Sequence, residues 1–179
     1  MKLKKKEQIS VKIEKLAFGG KGIAYTQNED QDNFIIFVDK VVPGDKAVVE
    51  LYKVKPNFAE ARLIEITKPS PLRITAKCQH FGTCGGCTFQ ILPYNEQLKI
   101  KESQVRESIE HIGGIKDMDF KPIIGCENEW FYRNKMEFSF GYEENKNPLD
   151  NKQISLGLHP KGRRYDIFDL KECYLENKD

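Results

Sequence analysis

Hydrophobic and polar residues alternate through most of the first third of the chain. Ile9, Val11 and Ile13 are separated by polar residues, the two-residue period of a strand with one buried face. Phe18-Gly-Gly-Lys-Gly22 interrupts the pattern and Ile23-Ala-Tyr25 resumes it. Residues 34–38 form a short apolar run, turned by Pro43-Gly-Asp45. Alternation returns over 47–54, with Val49, Leu51 and Lys53 on one face and Val48, Glu50 and Tyr52 on the other, and residues 58–67 supply the last strand. Short strands punctuated by glycine and proline, with no helix to cover an edge, predict a small closed all-β barrel over 7–68. Pro69-Ser-Pro71 closes this region, and 69–77 reads as a linker.

The period then changes. Leu98, Val105, Ile109 and Ile112 lie on one face of a helix predicted over 94–112, a stripe expected to pack in a core, and Gly113-Gly114 ends it. Over 131–142 the alternation predicts a strand, with Met136, Phe138, Phe140 and Tyr142 on one face and Glu137, Ser139 and Gly141 on the other. The polar stretch 143–153 reads as a loop. Residues 154–158 and 165–170 form a hairpin around His159-Pro-Lys-Gly162, where proline second and glycine fourth suit a type I turn. Residues 78–179 therefore predict an α+β domain, a sheet with a helix on it.

Composition narrows the class. In 179 residues there is room for one domain or two small ones. No apolar run approaches the roughly 18 residues of a membrane span, and the start of the chain has a basic run but no apolar stretch behind it. A soluble, cytoplasmic, monomeric protein with no membrane partner is expected. The formal net charge of +2 does not itself demand a polyanionic partner. Its layout is more telling: lysines crowd residues 2–6, and Lys161-Gly-Arg163-Arg164 sits on a turn.

The chemistry lies in Cys78-Gln-His-Phe-Gly-Thr-Cys84-Gly-Gly-Cys87. Thiols this close in sequence converge on one inorganic centre, and the glycines let the backbone approach it. Disulfides fit poorly, because the cysteine count of 5 is odd and no secretory signal precedes them. Zinc sites more often pair two separated C-x2-C units, and only Cys84 and Cys87 make one; His80 is squeezed two residues from Cys78. Spacing puts a [4Fe–4S] cluster first, with zinc and inert buried thiols as alternatives. The fourth ligand is Cys126 or Cys173, and position alone does not choose.

A small barrel, then C-x5-C-G-G-C, a helix, Phe131-Tyr-Arg-Asn-Lys135 and a distant cysteine in Asp169-Leu-Lys-Glu-Cys173 form a set. Together it resembles the RumA-like RNA (uracil-5-)-methyltransferases over nearly all of this chain. The resemblance implies that the barrel is an OB-like, RNA-binding TRAM domain. It implies a central α+β domain whose [4Fe–4S] cluster is held by Cys78, Cys84, Cys87 and Cys173. It also implies a C-terminal Rossmann-like domain that holds S-adenosylmethionine and supplies the thiolate attacking uracil C6. That domain is expected to be missing here: Gly19-Gly-Lys-Gly22 precedes a strand and is no cofactor loop. No catalytic or S-adenosylmethionine-binding residue is assigned in the chain, which alone is expected to be inactive. The expected partner is RNA, ribosomal (23S) rather than transfer RNA. Transfer RNA methylation and a freestanding iron–sulfur RNA-binding module are the alternatives, with an electron carrier behind them. Since the methylation is redox-neutral, a structural role is expected for the cluster ahead of a redox sensor.

RNA is held by cations on phosphates and by aromatic faces on bases. In the barrel the candidates are Lys21, Lys53, Lys55, Phe58 and Arg62. In the second region they are Arg133 and Lys135, expected to share a face with Phe131, and then Arg163 and Arg164.

Overall fold

The computed structural model describes residues 3–27, 33–141, 154–163 and 165–177. They divide into two compact units, Met1–Ile74 with Ile91–Ile123, and Thr75–Gln90 with Ile124–Asp179.

The first unit is built on strands β1 (Gln8–Lys12), β2 (Lys15–Leu16), β3 (Gly22–Gln27), β4 (Asn33–Val38), β5 (Lys46–Val54) and β6 (Phe58–Lys68). Their order is β1-β5-β6-β4-β3-β2, antiparallel except for the parallel β4–β6 pair. β1 and β2 are two halves of one bent segment. β1 pairs with β5, while β2 pairs with β3 at the other end of the sheet. At the bend, the Ile13 N–H donates to the Asp45 carbonyl (2.9 Å) and the Glu14 N–H to the Ile23 carbonyl (2.8 Å). One segment thus serves both edges and closes the sheet into a barrel, which leaves no long unpaired edge. The alternation along β5 is realised directly: Ala47, Val49 and Leu51 are buried, joining Ile13, Ala24, Ile36, Val38, Ala59 and Ala61 in one core. Lys53 leaves that face and is exposed, where the register shifts between Leu51 and Lys53.

Buried Asp45 anchors the barrel's far end. Its carboxylate accepts from the backbone N–H of Val42 (2.8 Å) and Ser70 (2.9 Å) and from the Arg73 guanidinium (2.6 and 3.2 Å). The stretch read as a linker is therefore tied to the barrel through Ser70 and Arg73.

Helix α1 (Tyr94–Glu107) widens into a π-turn at Ser108–Ile112, closed by the Gly113 N–H on the Ser108 carbonyl (3.1 Å). It belongs with the barrel, not with the cysteine-bearing region as the sequence led us to expect. The reason is polar: the Gln104 side chain donates to the Leu16 carbonyl (2.8 Å), and Lys15 pairs with Glu107 (2.9 Å). The expected core stripe is also absent from the helix. No helix residue is buried, and Val105 and Ile112 are 45% and 87% exposed.

The second unit holds a three-stranded antiparallel sheet of β7 (Ser139–Gly141), β8 (Ser155–Leu158) and β9 (Phe168–Asp169), with Ile167 and Leu175 buried. Only 139–141 of the long strand expected at 131–142 is strand, and Tyr142 lies outside the described residues. The alternation fails at Phe131, whose φ of 56° turns the chain through the left-handed region. The turn after β8 lies one residue later than the sequence suggested. Its hydrogen bond runs from the Arg163 N–H to the Pro160 carbonyl (3.1 Å), and Gly162, third in the turn, has φ 80°. That is the glycine position of a type II turn. Among the described residues, no helix is long and apolar enough to cross a membrane.

Candidate functional site

The loop from Cys78 to Cys87 is held by its own backbone. The Cys78 N–H donates to the Gln90 side chain (3.0 Å), and the Cys84 N–H to the His80 carbonyl (2.9 Å). The Gly85 N–H reaches the His159 carbonyl (3.1 Å), and the Lys161 N–H returns to the Thr83 carbonyl (3.0 Å). A Cβ on Gly85 would sit 3.2 Å from that His159 carbonyl, which is why the approach favours glycine. His80 acts as a strut: its Nε2 accepts from the Lys171 N–H (3.1 Å), joining the loop to the segment before Cys173.

This scaffold puts Cys78, Cys84, Cys87 and Cys173 on one cavity. Cys84 is buried and the other three are half-buried, while Cys126 is exposed, its thiol on the Asn128 carbonyl (3.2 Å). Burial, and then the neighbouring thiols, push the Cys84 and Cys87 thiols up, and an N–H from Gly86 to the Cys84 sulfur (3.3 Å) works the other way. Four thiols are a donor set that suits an iron–sulfur cluster and equally a tetrahedral zinc ion. The cavity of about 20 Å³ has room for little more than one water. Among the described residues, no three His, Cys, Asp or Glu side chains are grouped to hold a metal ion.

Beside the loop lies an open cleft of about 830 Å³, lined by Gly85, Gly86, Arg133, Lys135, Lys161 and Arg163 among others. Lys135 also meets Glu137 (2.8 Å), an exposed pair that costs a polyanion little to replace, and Arg163 meets half-buried Asp166 (3.7 Å). Arg133 is fixed from its backbone, by its N–H to the Leu175 carbonyl (2.8 Å). Phe131 does not share its face, because the left-handed turn sends that ring toward Tyr174. Arg164 lies outside the described residues.

On the barrel, Lys21 and Lys53 converge on one carboxylate. Glu60 accepts from Lys21 (2.6 Å), from the Tyr52 hydroxyl (2.9 Å) and from Lys53. Phe58 packs edge-on to Phe37 (5.9 Å), with Lys53 5.7 Å from its ring centroid; it is half-buried and outside the core. Arg62 pairs with Glu50 (3.1 Å), and Lys55 is exposed. Lys21, then Lys53 and Tyr52, hold the Glu60 carboxyl at about 2, below its ordinary 4.5. A carboxyl depressed on folding adds stability that is complete above 4.5 and lost as pH falls toward 2. Glu60→Gln should therefore be less stable than the parent in urea at pH 6, and the gap should close at pH 2. Parallel curves at both pH values would count against the network.

Glu60 was not legible as a site residue, because its pairing with Lys53 depends on the β5–β6 register. Lys77, Trp130 and Tyr174, which form an aromatic group in the second unit, escaped notice because they are far apart in sequence. Lys161 heads the basic string in the sequence but is not among the RNA candidates drawn from it, and it lines the cleft with Arg163.

Residues 2–64 match the TRAM domain. The TRAM domain thus covers the barrel up to the middle of β6. Across the chain there is similarity to proteins named uncharacterized RNA methyltransferases. The one from Porphyromonas gingivalis is 35% identical over 157 residues, 82% of this chain and 34% of that protein. The one from Clostridium tetani is 33% identical over 179 residues, 100% of this chain and 37% of that protein. The one from Caldanaerobacter subterraneus is 37% identical over 175 residues, 98% of this chain and 36% of that protein. The chain spans about a third of the length of these relatives. Among solved structures, the tRNA (uracil-54, C5)-methyltransferase of Pyrococcus abyssi, in complex with S-adenosyl-L-homocysteine, shares the fold with a TM-score of 0.57 and 22% identity. That match covers 94% of this chain and 33% of that one.

Proposed function

We propose that this chain captures RNA for an S-adenosylmethionine-dependent uracil-5-methyltransferase and holds a [4Fe–4S] cluster on Cys78, Cys84, Cys87 and Cys173. The observation that carries the reading is the open cleft in which Arg133, Lys135, Lys161 and Arg163 stand beside the thiol loop. The TRAM domain and the names of the relatives support RNA and methyl transfer. The relatives are about three times as long. The methyl donor and the thiolate that attacks uracil C6 are assigned by this reading to the part of them that the chain does not span.

In this reading the cations neutralise phosphates, and the backbone N–H bonds of the loop keep them at fixed separation. Arg133 suits two phosphate oxygens at once, while Lys135 and Lys161 act as mobile point charges. The cluster, when bound, cross-links the loop to Cys173 and shortens the chain that must be ordered. Ribosomal RNA is the favoured substrate, and transfer RNA is the competitor to set against it.

The test is anisotropy of a labelled single-stranded RNA from roughly 50 to 200 mM salt. Affinity should fall as salt rises. Arg133→Ala with Lys135→Ala should flatten the log–log slope by up to two phosphate contacts, about 0.7 to 0.9 for each. An unchanged slope would remove the cleft from the RNA path. Unlabelled ribosomal and transfer RNA fragments, added as competitors, decide between the two substrates.

A further inference from the structure

We propose that Trp130, Phe131 and Tyr174, with Lys77, form a stacking subsite for one unpaired nucleotide of an RNA strand whose phosphates occupy the basic cleft. The inference rests on the RNA-binding reading above and adds a base-reading element to it.

The three rings gather around one ammonium. Lys77 Nζ lies 5.0 Å from the Trp130 centroid, 5.7 Å from Phe131 and 4.7 Å from Tyr174. Tyr174 stands 6.0 Å from Trp130 and 5.9 Å from Phe131, tilted 74° and 52°, so it is stacked face to face with neither. All three rings are half-buried and Lys77 is exposed, so the group is held in place yet reachable from solvent. The hydrophobic core of this unit is elsewhere, at Ile167 and Leu175.

A second observation is independent of the rings' proximity. Phe131 holds φ 56°, a left-handed conformation costly for a bulky aromatic residue. Such strain persists where the surroundings over-determine it, commonly at ligand clamps. Here the restraint is visible. The Phe131 N–H donates to the Tyr174 carbonyl (2.8 Å), the Arg133 N–H to Leu175 (2.8 Å) and the Asn177 N–H to Arg133 (2.9 Å). The same pairing that turns Phe131 onto Tyr174 delivers Arg133, two residues on, to the cleft. Only Tyr132 separates Phe131 from Arg133 in the chain, so the aromatic group and the cleft are set by one stretch of backbone paired to 174–177.

Lys77 supplies the exchange. In the absence of nucleotide its ammonium caps the rings, a contact that is weak while solvent-exposed. Base stacking on aromatic side chains is the stronger interaction and accepts any base, because every base has a π-face. The flexible lysine stem lets the ammonium move to the flanking phosphate as the base takes its place.

Trp130 is the only tryptophan, so its emission reports on this site alone. With anaerobically purified protein, a short uridine oligoribonucleotide should quench that emission saturably. Trp130→Leu should weaken oligonucleotide binding about five- to 100-fold while leaving the salt slope unchanged, since no phosphate contact is lost. Trp130→Phe, which keeps a ring face, should restore most of the affinity, and Lys77→Met should reduce the slope. If the oligonucleotide binds without quenching and Trp130→Leu binds as tightly as the parent, the subsite is overturned while the cleft reading stands. If the parent does not bind the oligonucleotide at all, both fall. Equal quenching by inorganic polyphosphate would make this a phosphate site only, and quenching by choline rather than RNA would make it a quaternary-ammonium cage. Either result overturns the proposal.

Discussion

Asp45→Ala should destabilise the barrel by about 3 kcal/mol, the lower end of the range for breaking a buried ion pair from one side. Asp45 has no exposed surface, and Arg73 retains 22% of its side chain's exposure, so the orphaned guanidinium keeps some access to water. The loss has two parts. The N–H groups of Val42 and Ser70 lose their acceptor inside the fold. Among the described residues, the Arg73 fork keeps only the Lys40 carbonyl (3.1 Å). Arg73→Ala would instead strand a buried carboxylate, and the double variant should cost less than the two single costs added. Burial works against ionisation of Asp45, but the hydrogen bonds from Arg73, Ser70 and Val42 and the arginine's charge outweigh it and hold the carboxyl below its ordinary range. Its contribution is present above the unfolded-state pKa and fades as pH falls through the lower folded value. Urea melts at pH 7 read the change as a lower midpoint with the same slope, and faster amide exchange at Val42 and Ser70 localises it. A loss below about 1 kcal/mol, the scale of an ordinary substitution, would mean that the linker is not an anchor.

Cys173→Ala should abolish iron retention in anaerobically purified protein, and Cys126→Ala should leave it intact. Cys173 lines the cavity with Cys78, Cys84 and Cys87. Three thiolates leave one iron of a four-iron cluster without a protein ligand. Cys126 is exposed, and its replacement should change stability by no more than about 0.5 kcal/mol, as for other surface positions. Iron content and the broad visible absorbance of the cluster are the measurements. Iron lost with Cys126→Ala and kept with Cys173→Ala would reverse the ligand assignment. Stoichiometric zinc without iron in the parent would replace the cluster by a mononuclear site.

The barrel was largely legible because its signal is local. Val49 and Leu51 alternate with polar neighbours, and the fold buries them. What the alternation could not carry is register. Glu60 gathers Lys21 and Lys53 only because β6 lies where it does against β5. The helix shows the same limit: its period marks an apolar stripe without saying which body the helix joins. Gln104 and Glu107, on its polar side, make contacts with the barrel. At Phe131 the sequence misled, since a strand-like alternation gives no warning of a left-handed residue held by pairing to 174–177. Among the cysteines, the spacing of the tight triplet is plain in the sequence, and Cys78, Cys84 and Cys87 line one cavity in the fold. The choice between Cys126 and Cys173 came from resemblance, and the fold places Cys173 on the cavity.

The bent β1–β2 segment also orders events during synthesis. Its register joins Ile9 to Val49, so the first strand has no partner until β5 has left the ribosome. At roughly 5–20 residues per second, that wait is about 2–8 s. Through it, Gln8–Lys12 is a naked strand able to template pairing with another nascent chain. The lysines at positions 2–6 and at Lys12 flank it on both sides, and like charges on neighbouring polysomal chains repel. Lysines placed beside an unpaired strand have the character of gatekeepers against co-translational aggregation.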